Sequence, residues 1–419
     1  MINKLRPRSD FAKNVITLMT GTTIAQAIPI AISPILTRIY APEDFGVFAL
    51  YMAIASIFAV IATGRYEMAI MLPHEEDDVK SIVKLIILIL ITITFFVFLS
   101  IFIFNNTITA FLDNPEISTW LYFLPISIFL VGLYQIYNYL LIREKNFKRL
   151  STNKVIVSTT NSSTQLVYGF TISNGFGLLI GNIISYIVSI YFIVKSKTVN
   201  KYFNFKDNSI NKVAKEYQNF PKYDVPSVLV NILSNQLPLF ALGKYFSLGT
   251  VGFYSLMYKV LMMPIGLLSN SILDVFKQRA TEDYNKYGNC EDIFIKTFKS
   301  LFLIGIIPFS ILFFFAPEIF SFVFGANWRV AGEFAQIIIP MLYLKFIINP
   351  LSYTFYIAKK QKNDLIGQIL LLIIVVISIY IGLLYKDEKI LIMFFSIGYS
   401  IIYLVYLIYS YFLSKGIQK

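Results

Sequence analysis

Two ammonium groups in this 419-residue chain stand where charge is costly: Lys259 and Lys345 lie deep inside otherwise apolar segments. An ionised side chain at membrane depth is expensive to hold and marks a functional position or a structural pair. Lys345 falls about a dozen residues into its segment, about 18 Å from the segment's start and too deep for a lysine stem to snorkel out. It either lines a path and meets an anionic group, or pairs with a polar group on a neighbouring helix. Lys259, next to Tyr258 and nearer the start of its own segment, is open to the same two readings.

Further cations and carboxylates fall at segment ends. Arg38 closes the first apolar segment, and Lys244 occupies the corresponding place about 206 residues on, in the second half; either they line the same path or they anchor the interface. Arg65 and Glu67 sit at the end of the second segment and Asp274 at nearly the equivalent place in the eighth. A carboxylate beside a cation there is a gate, a structural ion pair or a carrier of a coupling proton. The fifth segment is unusually polar from Ser158 to Gln165, so it cannot face lipid all round. Its small residues favour close helix packing, with Asn161 and Gln165 the best candidates for a polar lining. Asn231 and Asn235 make a second polar stripe. Pro29, Pro34, Pro226 and Pro238 recur in the first helix of each half, as hinges or as static kinks. Gly177 and Gly181 form a GxxxG packing motif. One histidine, His74, and one cysteine, Cys290, leave no multi-histidine metal site and no internal disulfide. No phosphate loop of the GxxxxGK[ST] type occurs. The chain is expected to use no metal and no cofactor, and to be no enzyme.

The elements that must hold these residues are membrane helices. The chain is 57% hydrophobic and only 14% charged, too little charge to cover a water-soluble surface. Long apolar runs predict about twelve spans, near 14–37, 45–66, 81–104, 118–142, 151–171, 175–195, 225–247, 250–276, 291–316, 331–358, 363–385 and 390–413. The first is too long for the apolar core of a cleaved export signal. Of the 36 Lys and Arg residues, 29 fall in one alternate set of gaps and only 5 in the other. That asymmetry predicts both termini in the cytoplasm and explains the net charge of +12 without nucleic acid. The outward loops are short, the longest near 105–118 and 317–330, leaving no room for a folded outer domain. The expected organisation is an N-terminal six-helix bundle over 1–200, a basic cytoplasmic linker over 201–224 and a C-terminal six-helix bundle over 225–419. The halves repeat in parallel: Arg38 aligns with Lys244 and Gly46 with Gly252. Such repeats build transporters with a binding site between the halves.

The stretch from Ile35 through Thr37-Arg38-Ile39-Tyr40 to Phe45-Gly46-Val47-Phe48 resembles the opening of Wzx-type oligosaccharide flippases, of the multidrug/oligosaccharidyl-lipid/polysaccharide superfamily. So do Gly64-Arg65-Tyr66-Glu67, Phe220-Pro221-Lys222-Tyr223, Asn235-Gln236-Leu237-Pro238 and Val251-Gly252-Phe253-Tyr254. The resemblance implies an all-α polytopic fold like that of multidrug (MATE) exporters, with two six-helix bundles around a central cavity. It implies flipping of undecaprenyl-diphosphate-linked repeat units to the outer leaflet of the bacterial cytoplasmic membrane, for O-antigen, lipopolysaccharide or capsule. The partners it implies are the lipid-linked oligosaccharide, membrane lipids, and a polymerase and chain-length regulator. The alternative is a small-molecule exporter of the same fold. Such an exporter is expected to favour carboxylates for organic cations, whereas the deepest charges here are lysines.

Overall fold

A computed structural model of the chain describes residues 10–172, 174–205, 210–358 and 360–416. Of the cations counted above, Lys4, Arg6, Arg8, Lys206, Lys359 and Lys419 lie outside the described residues. Among the described residues all regular structure is helical. Backbone groups in hydrocarbon have no water to bond, and a helix satisfies them within its own segment.

The chain divides into two compact units, Met1–Gln236 and Leu237–Lys419. The first unit holds α1 (Asp10–Ile39), α2 (Pro42–Thr63), α3 (Glu76–Leu112), the short α4 (Ile117–Leu121), α5 (Leu124–Arg143), α6 (Phe147–Ile172), α7 (Phe176–Lys195) and the short α8 (Ile210–Glu216). The division falls within α9 (Val225–Tyr245). The second unit continues with α10 (Leu248–Tyr287), α11 (Glu291–Phe324), α12 (Arg329–Leu351), the one-turn α13 (Thr354–Ile357), α14 (Gln361–Tyr385) and α15 (Glu388–Ser414). Eleven of the long helices are apolar enough to cross a bilayer.

The helix that fails on composition is α6, yet at 26 residues it is about 39 Å long, enough to cross. The end of α5, the start of α6 and the end of α7 line one common pocket, so α6 departs from a side to which α7 returns. The architecture is therefore a polytopic bundle of about twelve spans. Arg38 and Lys244 occupy the last turns of α1 and α9, each followed by a tight turn into the next helix.

Local chemistry sets the boundaries. Pro42 opens α2 at its first turn, where its missing N–H costs nothing, and the Asp44 carboxylate accepts from Ala41 N at 2.9 Å. Gly64, at φ +57°, ends it in the left-handed conformation. Ser247 Oγ caps α10, accepting from Thr250 N at 3.0 Å, and the Asp387 carboxylate caps α15. Two helices overrun the expected loops. α3 continues to Leu112 because Asn105 is buried and stitched to Ser118, donating to its carbonyl at 3.0 Å and accepting from its hydroxyl at 2.6 Å. α11 runs on to Phe324 through Pro317.

Within the first unit α6 packs between α1 and α7, while α2, α3, α5 and α7 form the adjoining core. The segment expected as a basic linker folds onto this unit. Val199, Tyr202 and Val213 are buried with Val79, Ile82 and Val83 of α3 and with Leu140 and Leu141 of α5. Lys201 bridges Glu76 at 2.5 Å and Glu144 at 3.1 Å, and Lys212 meets Asp78 at 3.0 Å. In the second unit α12 is the central helix, in contact with α10, α11 and α15; 61% of its most apolar stretch is buried, the highest share of any span.

Candidate functional site

The site-forming chemistry of the second unit lies along the seam of α10 and α12. Lys345 is half-buried on α12, about 5 Å past the midpoint of the continuous span Ala326–Ile357. Its Nζ donates to the Tyr258 hydroxyl at 3.5 Å and stands 5.9 Å from the centre of the Tyr258 ring. Tyr258 in turn stacks on Tyr254 of the same helix. One turn beyond Lys345, Asn349 donates to Ser269 Oγ of α10 at 3.0 Å. Lys259, adjacent to Tyr258, is exposed. Neither lysine has a carboxylate partner among the described residues. The charge of Lys345 is met by a phenol and a ring face, an arrangement that suits an added anion.

In the first unit the polar residues of α6 separate into two faces. One face meets α1: Ser151 Oγ donates to Thr17 O at 3.0 Å, Lys154 Nζ donates to Thr22 Oγ1 at 3.1 Å, and Ser158 Oγ donates to Ala25 O. Ala25 O is the carbonyl that Pro29, four residues on, leaves without its helical N–H. Pro34 similarly frees Ile30 O, which accepts from Ser33 Oγ at 2.7 Å. Pro29 and Pro34 both stand inside the continuous α1, and the carbonyl each one frees is bonded by a serine hydroxyl. The other face meets α7. Gln165, 6% exposed, donates to Leu178 O at 3.2 Å, and its own carbonyl accepts from Tyr40 Oη at 2.7 Å. Gln165 is thus buried and packed between α6 and α7 in this structure. Asn161 also abuts α7: a Cβ on Gly181 would lie 2.9 Å from Asn161 O and 2.6 Å from Gln165 Cγ, so the GxxxG glycines let these helices approach.

Lys154 is the functional candidate that sequence reading missed. It looked like a loop cation because α6 was expected to begin at 151; with α6 starting at Phe147 it lies two turns inside the helix, half-buried. Its spacing from the charged turn at Arg143–Arg149 carried the signal.

A third cluster joins the turn after α2 to the entrance of α9. Arg65 Nε donates to Asp224 Oδ2 at 2.7 Å, and its Nη1 reaches Glu67 Oε1 at 3.4 Å. Arg65 holds φ +60°, a left-handed conformation that costs a non-glycine residue about 1 kcal/mol or more. Glu67 is 1% exposed, and its Oε2 has no hydrogen-bond partner among the described residues. Burial pushes its carboxyl above the usual carboxylate range, a shift that the Thr63 hydroxyl and Arg65 only partly offset. The stronger partner of Arg65 is Asp224, which sequence reading overlooked; the signal was an acid at the mouth of an apolar span in an otherwise basic segment. Near this cluster α5 presents Tyr134, Gln135, Asn138 and Tyr139, with Gln135 Oε1 and Asn138 Oδ1 buried and unpartnered among the described residues. Tyr134 meets Tyr186 of α7 edge-on at 5.2 Å.

The remaining candidates are scattered. Asp274 is exposed on α10, in the other unit from Arg65 and Glu67. Arg38 is exposed and bonds Pro34 O of its own helix. Lys244 stands over the ring of Tyr245 at 5.6 Å. Asn231 and Asn235 are exposed on α9, Asn235 donating to Asn231 O at 2.8 Å. Pro226 lies just after the π-helical turn Phe220–Asp224, within the continuous helix Phe220–Tyr245. Pro238 stands in the interior of α9 without an identified brace.

Comparison with known proteins places this geometry in context. The family model described as polysaccharide biosynthesis protein matches residues 35–333. The teichuronic acid biosynthesis protein TuaB of Bacillus subtilis (strain 168) is 22% identical over 275 residues, 60% of this chain and 52% of that protein. The chain thus spans about half the length of that relative. Among solved structures, the lipid II flippase MurJ in an inward closed conformation has a TM-score of 0.73 at 17% identity, over 94% of this chain and 87% of that one. An inward-facing multidrug MATE transporter of the MOP superfamily gives 0.70 at 14%, over 94% and 93%. A MOP superfamily transporter from Pyrococcus furiosus gives 0.64 at 15%, over 96% of each chain. At these identities the likeness is one of fold.

Proposed function

Because this chain belongs to the polysaccharide biosynthesis protein family, we propose that it translocates a lipid-linked oligosaccharide. In this reading the cargo is an undecaprenyl-diphosphate-linked repeat unit, carried from the cytoplasmic to the outer leaflet of the bacterial cytoplasmic membrane by alternating access. The observation that carries the reading is the set of span-embedded lysines, Lys154, Lys259 and Lys345, none paired with a carboxylate among the described residues. A diphosphate crossing hydrocarbon must exchange its hydration for charge-assisted hydrogen bonds, which ammonium groups supply. The tyrosine and amide groups of α5 and α7 offer the aromatic faces and acceptors that sugars need. The likeness to a lipid II flippase and to a teichuronic acid biosynthesis protein supports a lipid-linked glycan as cargo. An exporter of organic cations is disfavoured because the most deeply buried acid, Glu67, is already engaged by Arg65. In the proposed cycle Arg65, Glu67 and Asp224 form a gate, while Asp274 has no assigned part.

Deletion of the gene tests this. Lipid-linked repeat units are expected to accumulate on the cytoplasmic leaflet, out of reach of a membrane-impermeant glycan-labelling reagent added outside. Normal outward labelling in the deletion strain would remove the proposal.

A further inference from the structure

Away from these seams, the first unit holds a cavity of about 390 Å³ where the end of α5, the start of α6 and the end of α7 converge. Its polar side is made by Asn146, Lys148, Arg149 and Asn153, and its apolar side includes Ile156 and Phe192. Three independent features converge on it.

The first is charge. Lys148 and Arg149 are exposed, and neither forms an ion pair with a carboxylate among the described residues. The nearby acid in the same turn, Glu144, is already engaged by Lys201 and the Tyr202 hydroxyl. The second is the positive end of α6. Asn146 Oδ1 accepts from Arg149 N at 3.2 Å, so the side chain satisfies one terminal N–H, and the helix presents that end to the pocket. The third is a buried donor. Asn153 is 3% exposed; its Oδ1 accepts from Ser189 Oγ at 2.8 Å, which fixes the amide, and its Nδ2 has no partner among the described residues. A fully desolvated amide donor without an acceptor costs free energy that a bound oxyanion would recover. On the apolar side Phe192 is half exposed, so the wall continues onto the surface that faces acyl chains.

We propose that this pocket binds a phosphate group, that of an anionic phospholipid headgroup, with Asn153 Nδ2 and the α6 N-terminus on the oxyanion and Lys148 and Arg149 supplying countercharge. Basic pockets at the ends of membrane helices suit such headgroups. Arg149 already joins this turn to the end of α7, donating to Ser196 O at 3.2 Å and to Thr198 Oγ1, and the lipid phosphate would add to that joint. None of the pocket's lining residues is one assigned to the cargo, and the test does not depend on translocation.

The purified full-length protein is offered equal amounts of synthetic phosphatidylglycerol and phosphatidylcholine, and retained lipid is counted by native mass spectrometry. The wild type is expected to retain phosphatidylglycerol over phosphatidylcholine by about tenfold. That preference is expected to vanish in Lys148→Gln/Arg149→Gln and in Asn153→Asp, which keeps the Ser189 contact but sets a carboxylate on the pocket floor. Lys296→Gln/Lys299→Gln, an equal charge change at exposed positions of α11, is expected to keep the preference. A parallel arm adds millimolar inorganic phosphate. Failure to displace the lipid assigns the site to a headgroup; displacement, with phosphate-dependent thermal stabilisation lost in the same variants, assigns it to free phosphate. The proposal is overturned if neither lipid preference nor phosphate stabilisation depends on Lys148, Arg149 or Asn153. The two exposed cations keep the test valid should Asn153→Asp fold poorly.

Discussion

A lysine in a helix interior is tolerable when something meets its charge, and at Lys345 that something is a phenol and a ring face. If the missing counterpart is a cargo phosphate, Lys345→Ala removes one charge-assisted contact worth about 1.5–3 kcal/mol, a loss of about tenfold to a hundredfold in transport. Membrane abundance is expected to stay normal, and Lys345→Arg to restore part of the activity. Surface polysaccharide measured beside protein level in a complemented deletion strain checks this; full complementation by Lys345→Ala would refute the role. Lys259 and Lys345 stood out in the sequence as candidates because each is an isolated cation inside an apolar run. Lys154 did not, since the helix start decides whether a lysine is loop or span, and a polar helix hides its own start. Gln165 is less legible: an amide in a span reads alike whether it bonds a neighbouring backbone or lines an opening, and its contact to Leu178 O appears only in the structure.

At the scale of elements, the tie between α1 and α6 explains why the fifth span is so polar. Ser158 completes the carbonyl that Pro29 strands, and Ser151 and Lys154 bond the same helix. Ser158→Ala leaves that carbonyl without a donor in a water-poor interface and is expected to destabilise the protein by about 1 kcal/mol, lowering its thermal midpoint in detergent. Ser158→Thr keeps the hydroxyl and is expected to lose less. Equal midpoints for wild type and Ser158→Ala would show that α1 does not depend on the brace. The sequence revealed the spans themselves because length and continuous apolarity admit little else. It did not reveal that 105–112 and 317–324 stay helical, because Asn105 reads as a loop residue until Ser118 is seen to satisfy it. Nor did the basic composition of 201–224 disclose its burial, which rests on Tyr202 and Val213, with Val199 just before the segment, spaced too irregularly to show a helical face.

For the whole molecule, the strongest signal in the sequence was the uneven distribution of cations, 29 against 5, which favours placing both chain termini in the cytoplasm. Lys201 and Lys212, counted in the richer set, are paired with Glu76 and Asp78. Each unit presents its own embedded cation, Lys154 in the first and Lys345 in the second, and under the proposed function each is expected to meet an anionic cargo. The most direct measurement is flipping in proteoliposomes, using the lipid-linked repeat unit isolated from the deletion strain and a membrane-impermeant reagent to report the exposed leaflet. Wild-type protein is expected to expose the cargo at a rate that Lys154→Gln and Lys345→Gln each reduce by about tenfold or more. Protein-dependent exposure at the wild-type rate in the double variant, or none with the wild type, would contradict the account.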